Sequence, residues 1–175
     1  HIIFAGGSWI WNGIAPNYSK TFESTKAALE ACKKYDIKEV LCTAWMDNGA
    51  ETPVDAVLPG LALYGYLGFH ETYEEETFKQ EFAYATDASL EEFWLLDRFD
   101  TLFVTDGQNL AAENPSKYLL YQDPMVGIFD FHVTDLDTHT YYKTLAAQLT
   151  TCKEPKYKAL FAYYETLATV LTDKA

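Results

Sequence analysis

IKEVLCTAWMDNGAETPVDAVLPGLALYGYLG, residues Ile37 to Gly68, sets the fold. It opens on a short apolar run, Val40-Leu41-Cys42-Thr43-Ala44-Trp45, behind the charged Lys38 and Glu39. A continuous run of this kind, rather than an alternating one, predicts a strand buried on both faces, as in a parallel sheet. Trp45, Asp47, Asn48 and Gly49 follow at its carboxyl end, a large ring succeeded at once by polar groups and a turn signal. Thr52 then suits a helix N-cap, with Pro53 in the first turn and Asp55 completing a T-x-x-D capping pattern. The helix so started is expected to be interrupted at Pro59-Gly60 and to stop at Gly68. Strand, polar loop and helix make one βα unit whose chemistry belongs at the strand's carboxyl end.

Toward the N-terminus the same pattern repeats. Ile2 to Ala5 predicts a second buried strand, running into Gly6-Gly7-Ser8-Trp9-Ile10-Trp11-Asn12-Gly13. The glycines permit close backbone approach, but they lack the G-x-G-x-x-G order of a dinucleotide fingerprint. From Pro16-Asn17-Tyr18-Ser19 a helix is predicted through about Tyr35, with Phe22, Thr25, Leu29 and Cys32 as its core stripe. Residues 1–68 thus spell β-loop-α-β-loop-α, with the two strands parallel.

Beyond Gly68 the composition changes and no period-two run of useful length occurs. His70 to Thr86 predicts an acidic amphipathic helix with Phe78, Phe82 and Ala85 inward. Ser89, with Glu92 three residues on, caps another. Asn114-Pro115 and Asp123-Pro124 mark two short helices, and Thr140–Cys152 and Lys156–Thr172 two longer ones. Residues 69–175 therefore read as an all-helical layer.

Composition excludes several classes of function. The 175 residues carry a net charge of −13, with no Lys/Arg cluster, which argues against nucleic acid and against an anionic membrane surface. The apolar stretches are broken well short of a bilayer span. Cys32, Cys42 and Cys152 are sparse and unpatterned, which points to a reducing, cytoplasmic setting and no zinc site. Because the chain opens on His1, export is left open. Thirteen tyrosines and four tryptophans suit either sugar stacking or aromatic-rich helix packing.

Trp45-Met46-Asp47 is the sharpest local signal of chemistry. A ring at the mouth of the unit can stack on the apolar face of a sugar. A carboxylate two residues on can accept hydroxyl hydrogen bonds from the same side. The plainer reading is a core tryptophan and a helix-capping aspartate. Trp9 and Trp11 follow the same logic, against the alternative that they roof the core. Asp130, His132, Asp135, Asp137 and His139 can be drawn as a metal site, yet they fit no tight template and read better as a solvated loop. No P-loop, nucleophile elbow or HExxH is present, so neither metal nor cofactor is expected.

FAGGSWIWNGIAP and LCTAWMDNGAETPVDAVLPGLALYGYLG resemble the last two βα units of family 20 glycoside hydrolases, the β-N-acetylhexosaminidases. NPSKYLLYQDPMVGIFDFHV resembles part of the α-helical domain that follows the barrel in bacterial intracellular N-acetyl-β-D-glucosaminidases. The resemblance implies an α/β plus all-α chain: the end of a (β/α)8 TIM barrel over residues 1–68 and a C-terminal helical domain over 69–175. It also implies a substrate, a glycan ending in N-acetylhexosamine, hydrolysed with retention by a substrate-assisted route in which the acetamido oxygen attacks the anomeric carbon. The family's eighth strand carries Trp-x-Glu, matched by Trp45 and Asp47 with Asp in place of Glu. Trp9 and Trp11 sit in the loop of the preceding unit.

Nothing in the chain matches the family's catalytic Asp-Glu pair. The resemblance therefore implies a portion that is inactive alone and completed by an N-terminal remainder. Tyr141, Tyr142, Tyr157, Tyr163 and Tyr164 exceed what two packed faces require, so the helical half is also expected to form a homodimer. Two other readings stand beside this one: an assembly module with no ligand contact, and a piece of a different β/α-barrel enzyme.

Overall fold

The computed structural model describes residues 2–46, 51–104, 106–123, 125–128, 130 and 136–175. Strand β1 spans Ile3–Gly7 and β2 spans Glu39–Thr43, and the two pair in parallel with Ile3 opposite Glu39 and Gly7 opposite Thr43. Between them runs α1, Tyr18–Lys34. A short 3-10 turn, Val54–Val57, leads into α2, Leu58–Phe69. The helical half follows as α3 (Glu75–Thr86), α4 (Leu90–Asp97), α5 (Pro115–Tyr121), α6 (Thr138–Leu149) and α7 (Lys158–Lys174). Helices thus dominate the chain beside a small two-stranded sheet.

One apolar core runs from α1 to α7. Phe22, Leu29 and Cys32 enter it on the predicted stripe of α1, beside the equally buried Thr25. Phe78 and Phe82 of α3, Phe93 and Leu96 of α4, and Phe161, Leu167 and Leu171 of α7 join them. Phe93 packs edge-on against Phe82, Tyr157 and Phe161, with ring centroids 5.3–5.6 Å apart. Such edge-to-face contacts add to the free energy of burial. No described helix is long and apolar enough to cross a membrane.

Helix ends are tied by side chains from other elements. Asp97 Oδ1 accepts the N–H groups of Tyr18 and Ser19 at the start of α1, and Asp100 Oδ1 accepts Ser116 N–H at the start of α5. At helix ends the charge reverses. Lys33 Nζ donates to the carbonyls of His70 and Glu71 after α2, Lys156 Nζ to Thr86 O, and Lys174 Nζ to Leu120 O and Gln122 O after α5. Carboxylates at N-termini and ammonium groups at C-termini satisfy orphan backbone groups and oppose the helix dipole.

Several expectations change. The sheet is not buried on both faces: Ile3 is 54% exposed and Leu41 55%, while Phe4 and Cys42 pack inward. Helices cover one side of these strands, and among the described residues nothing covers the other. Thr52 does not cap α2, because its buried hydroxyl donates to Gly13 O at 2.9 Å and Pro53 precedes the 3-10 turn. Pro59-Gly60 does not interrupt the helix. It occupies the first turn of α2, where proline lacks nothing the helix needs.

His70 to Glu74 stays outside α3, and Ala85 faces solvent while Thr86 is buried. The tyrosines that suggested a surplus are largely internal: Tyr142, Tyr157 and Tyr164 are buried. Tyr18, Tyr142 and Tyr157 each donate a phenolic O–H to a backbone carbonyl, on Ala56, Phe99 and Thr86. Tyrosine is used here as a core residue with a polar end that needs a partner. For Asp123-Pro124, Pro124 lies outside the described residues, and Asp123 Oδ1 accepts Met125 N–H at 2.8 Å.

Candidate functional site

The parallel pairing of β1 and β2 brings their carboxyl ends side by side, so the segments after Gly7 and Thr43 leave the sheet together. Ser8 N–H extends the ladder by donating to Thr43 O at 2.9 Å. A cleft of about 460 Å³ lies there, lined by Gly6, Gly7, Trp9, Trp11, Thr43 and Trp45, with Ser24 of α1 and Tyr64 of α2 at its side. Three of the four residues expected to meet a sugar, Trp9, Trp11 and Trp45, thus share one cleft. Asp47, the fourth, lies outside the described residues.

Each indole is held differently. Trp45 is 55% exposed, yet its Nε1–H donates to Thr43 Oγ1 at 2.8 Å, and that hydroxyl donates to Gly6 O at 2.9 Å. The relay crosses from β2 to β1 and orients an exposed ring. Trp9 and Trp11 pack against each other, tilted by 31° with centroids 4.5 Å apart, and Lys20 Nζ lies 5.6 Å from the Trp9 centroid. Trp11 lies over the strand itself: a Cβ on Gly7 would approach its ring to 2.7 Å, so this contact requires glycine. Indole faces, bare glycine backbone and a hydroxyl form a surface suited to the alternating apolar and polar faces of a pyranose.

The remaining candidates have structural tasks. Asp137 caps α6, accepting Thr140 N–H, and His139 Nδ1 donates to Thr172 O at 3.1 Å. Asp130 Oδ1 accepts Gln122 Nε2 at 3.2 Å, while His132 and Asp135 lie outside the described residues. Three or more His, Cys, Asp or Glu that could hold a metal do not come together among the described residues. His70, expected to open a helix, instead caps the C-terminus of α2, stacks on Tyr66 at 4.1 Å and contacts Glu81 at 2.8 Å.

Sequence reasoning missed Thr43, Glu51 and the two buried aspartates. Thr43 was detectable, because residues two apart on a strand share a side and a hydroxyl beside an indole N–H is a natural acceptor. The Glu51 carboxylate meets Lys117 Nζ at 3.0 Å with both side chains 18% exposed. Burial pushes the Asp97 and Asp100 carboxyls up, Asp100 to about 7, against the hydrogen bonds they accept. Neither lines the tryptophan cleft, and they serve the helix ends.

Residues 91–175 match the family model of the Glycoside Hydrolase 20C C-terminal domain, a span that runs from α4 through α7. Over residues 91–175 the chain is therefore similar to the C-terminal part of a family 20 hexosaminidase. The two strands and the tryptophan cleft precede the matched span. No curated protein matches the chain.

Proposed function

Starting from the likeness of residues 91–175 to the 20C C-terminal domain, we propose that this chain is part of an exo-acting β-N-acetylhexosaminidase. In this reading residues 1–68 are the last two βα units of a (β/α)8 barrel and 69–175 the helical domain that follows it. The substrate is a glycan ending in a β-linked N-acetylhexosamine. Trp45, Trp9 and Trp11 wall the sugar pocket, and Asp47 accepts its hydroxyls. The acid and the carboxylate that orients the acetamido group come from an N-terminal remainder, so the chain by itself is inactive.

The observation that carries the reading is the convergence of three indoles on one cleft at the carboxyl ends of two parallel strands. Active sites of β/α barrels occupy that end. The exposed face of the sheet, opposite the helices, supports the same view, since in a closed barrel it points into the packed interior. The test is Trp45→Ala in the complete enzyme, assayed on an aryl N-acetyl-β-glucosaminide. Loss of ring stacking is expected to lower kcat/KM by about tenfold or more. An unchanged kcat/KM refutes the assignment.

A second reading concerns assembly. Tyr118, Tyr121, Met125, Val126 and Ile128 are all exposed, with Met125 at 93%, which gives the helical half an apolar surface independent of the internal tyrosines. We assign this surface to a symmetric homodimer. Sedimentation of the complete enzyme should give a dimer that Met125→Asp converts to monomer, and a monomeric parent enzyme disproves it.

A further inference from the structure

Two stretches that flank the cleft, residues 12–20 and residues 51–52, are both held by one stretch of the helical half, residues 109–117. On the first segment, Asn12 donates its side-chain amide to Ala112 O, and Asn114 returns a bond to Asn12 O. Asn17 Nδ2 donates to Asn109 O at 2.8 Å, and Lys20 Nζ, beside the Trp9 ring, donates to Leu110 O at 2.8 Å. The second stretch is Glu51-Thr52. There Lys117 Nζ pairs with the carboxylate, and Tyr163 of α7 donates its O–H to Glu51 O at 2.9 Å. Thr52 closes the circuit by binding Gly13 O across the two segments.

The gripping stretch is itself stiffened. Asn109 Oδ1 accepts Glu113 N–H at 3.0 Å, its amide donates to Glu113 O, and Asp100 holds Ser116 N–H. Ala112 has φ 58°, a left-handed conformation that is strained for an alanine. Strain of that kind persists where surrounding contacts impose it. Here it presents the Ala112 carbonyl to Asn12.

We propose that residues 109–117 are a brace that sets the position of the Trp9–Gly13 loop at the cleft, with Lys117 and Tyr163 acting as positioning residues through Glu51 and the Thr52–Gly13 bond. The inference rests on the sugar-pocket reading of the cleft and adds a catalytic duty for the helical half. A misplaced wall weakens sugar binding even though neither Lys117 nor Tyr163 lines the cleft.

The experiment uses the complete enzyme and four variants: Lys117→Met, Lys117→Arg, Tyr163→Phe and Trp45→Ala. The measured quantities are kcat and KM on an aryl N-acetyl-β-glucosaminide, Ki for N-acetylglucosamine, and Tm. Lys117→Met is expected to raise Ki and lower kcat/KM about tenfold, and Tyr163→Phe about threefold, the range of one lost hydrogen bond. Lys117→Arg should restore both, because a cation in the same place re-forms the pair. Tyr163→Phe removes one hydroxyl from a partly exposed ring, so it tests the brace even if Lys117→Met fails to fold. Parental Ki and kcat/KM in Tyr163→Phe and in any folded Lys117→Met overturn the brace, as does a loss that follows Tm and disappears on cooling. If Trp45→Ala is also without effect, the sugar-pocket reading has failed; if it alone is impaired, only the brace has.

Discussion

Asp97 Oδ1 accepts the backbone N–H of Tyr18, although 79 residues separate the two in sequence. The same carboxylate takes Ser19 N–H at 3.0 Å and the Ser19 hydroxyl, so the last residue of α4 caps α1. Three residues on, Asp100 repeats the arrangement for α5 through Ser116 N–H at 2.8 Å. One elbow in the chain thereby starts two helices, and α1 is the helix that backs the sheet and the tryptophan cleft.

Asp97→Ala is expected to cost about 3 kcal/mol, the scale for losing several bonds to a buried carboxylate and leaving their donors unpaired. Asp97→Asn keeps an acceptor and should cost about 1 kcal/mol. Urea denaturation of the complete protein measures both. Equal effects would show that the charge contributes most of the stabilisation.

Asp100 should make stability fall as pH rises. Burial raises its carboxyl from 3.8 to about 7, so between those values the folded state binds more protons than the unfolded state. Stability then decreases with pH across that window, and Asp100 adds no slope below about 4 or above about 7. Asp100→Asn is neutral throughout and keeps an acceptor for Ser116 N–H. Relative to the parent it should gain on the order of 4 kcal/mol between pH 4 and pH 8. Denaturation at those two pH values with an unchanged difference would contradict this.

Gly60→Ala should destabilise. In an open helix the change gains about 1 kcal/mol. Here the new methyl would overlap Ser8 Oγ and meet Ser8 Cβ at 2.7 Å and Thr21 Cγ2 at 3.0 Å, and Ser8 and Thr21 are fully buried. Overpacking of this kind costs about 1–3 kcal/mol, so the net loss should be about 1 kcal/mol. Thermal unfolding checks the sign, and a raised Tm would show that α2 can withdraw from β1 without penalty.

Asp47→Ala tests the proposed hydroxyl acceptor two residues after Trp45. A hydrogen bond to a charged group is worth roughly 1.5–3 kcal/mol, so kcat/KM of the complete enzyme should fall about tenfold to a hundredfold. An unchanged value returns Asp47 to the role of a helix cap.

Local chemistry by itself determined where α1, α4 and α6 begin and the β-α-β-α order of residues 1–68. Asn17, Ser89 and Asp137 cap α1, α4 and α6 within three residues of the amide each accepts, so their signals are complete in a short window. The stripe Phe22, Thr25, Leu29 and Cys32 is likewise a property of one helix. The tryptophans could be nominated as a group because each follows an apolar run, but their meeting in one cleft depends on the parallel register of β1 and β2. Only the tertiary structure decided what the polar residues between elements do. Thr52 spends its hydroxyl on Gly13, Glu51 its carboxylate on Lys117, and Asp97 and Asp100 cap helices far away in the chain. A hydroxyl or carboxylate has several partners of equal chemical merit, and which one it meets is settled by the packing that brings distant backbone within 3 Å.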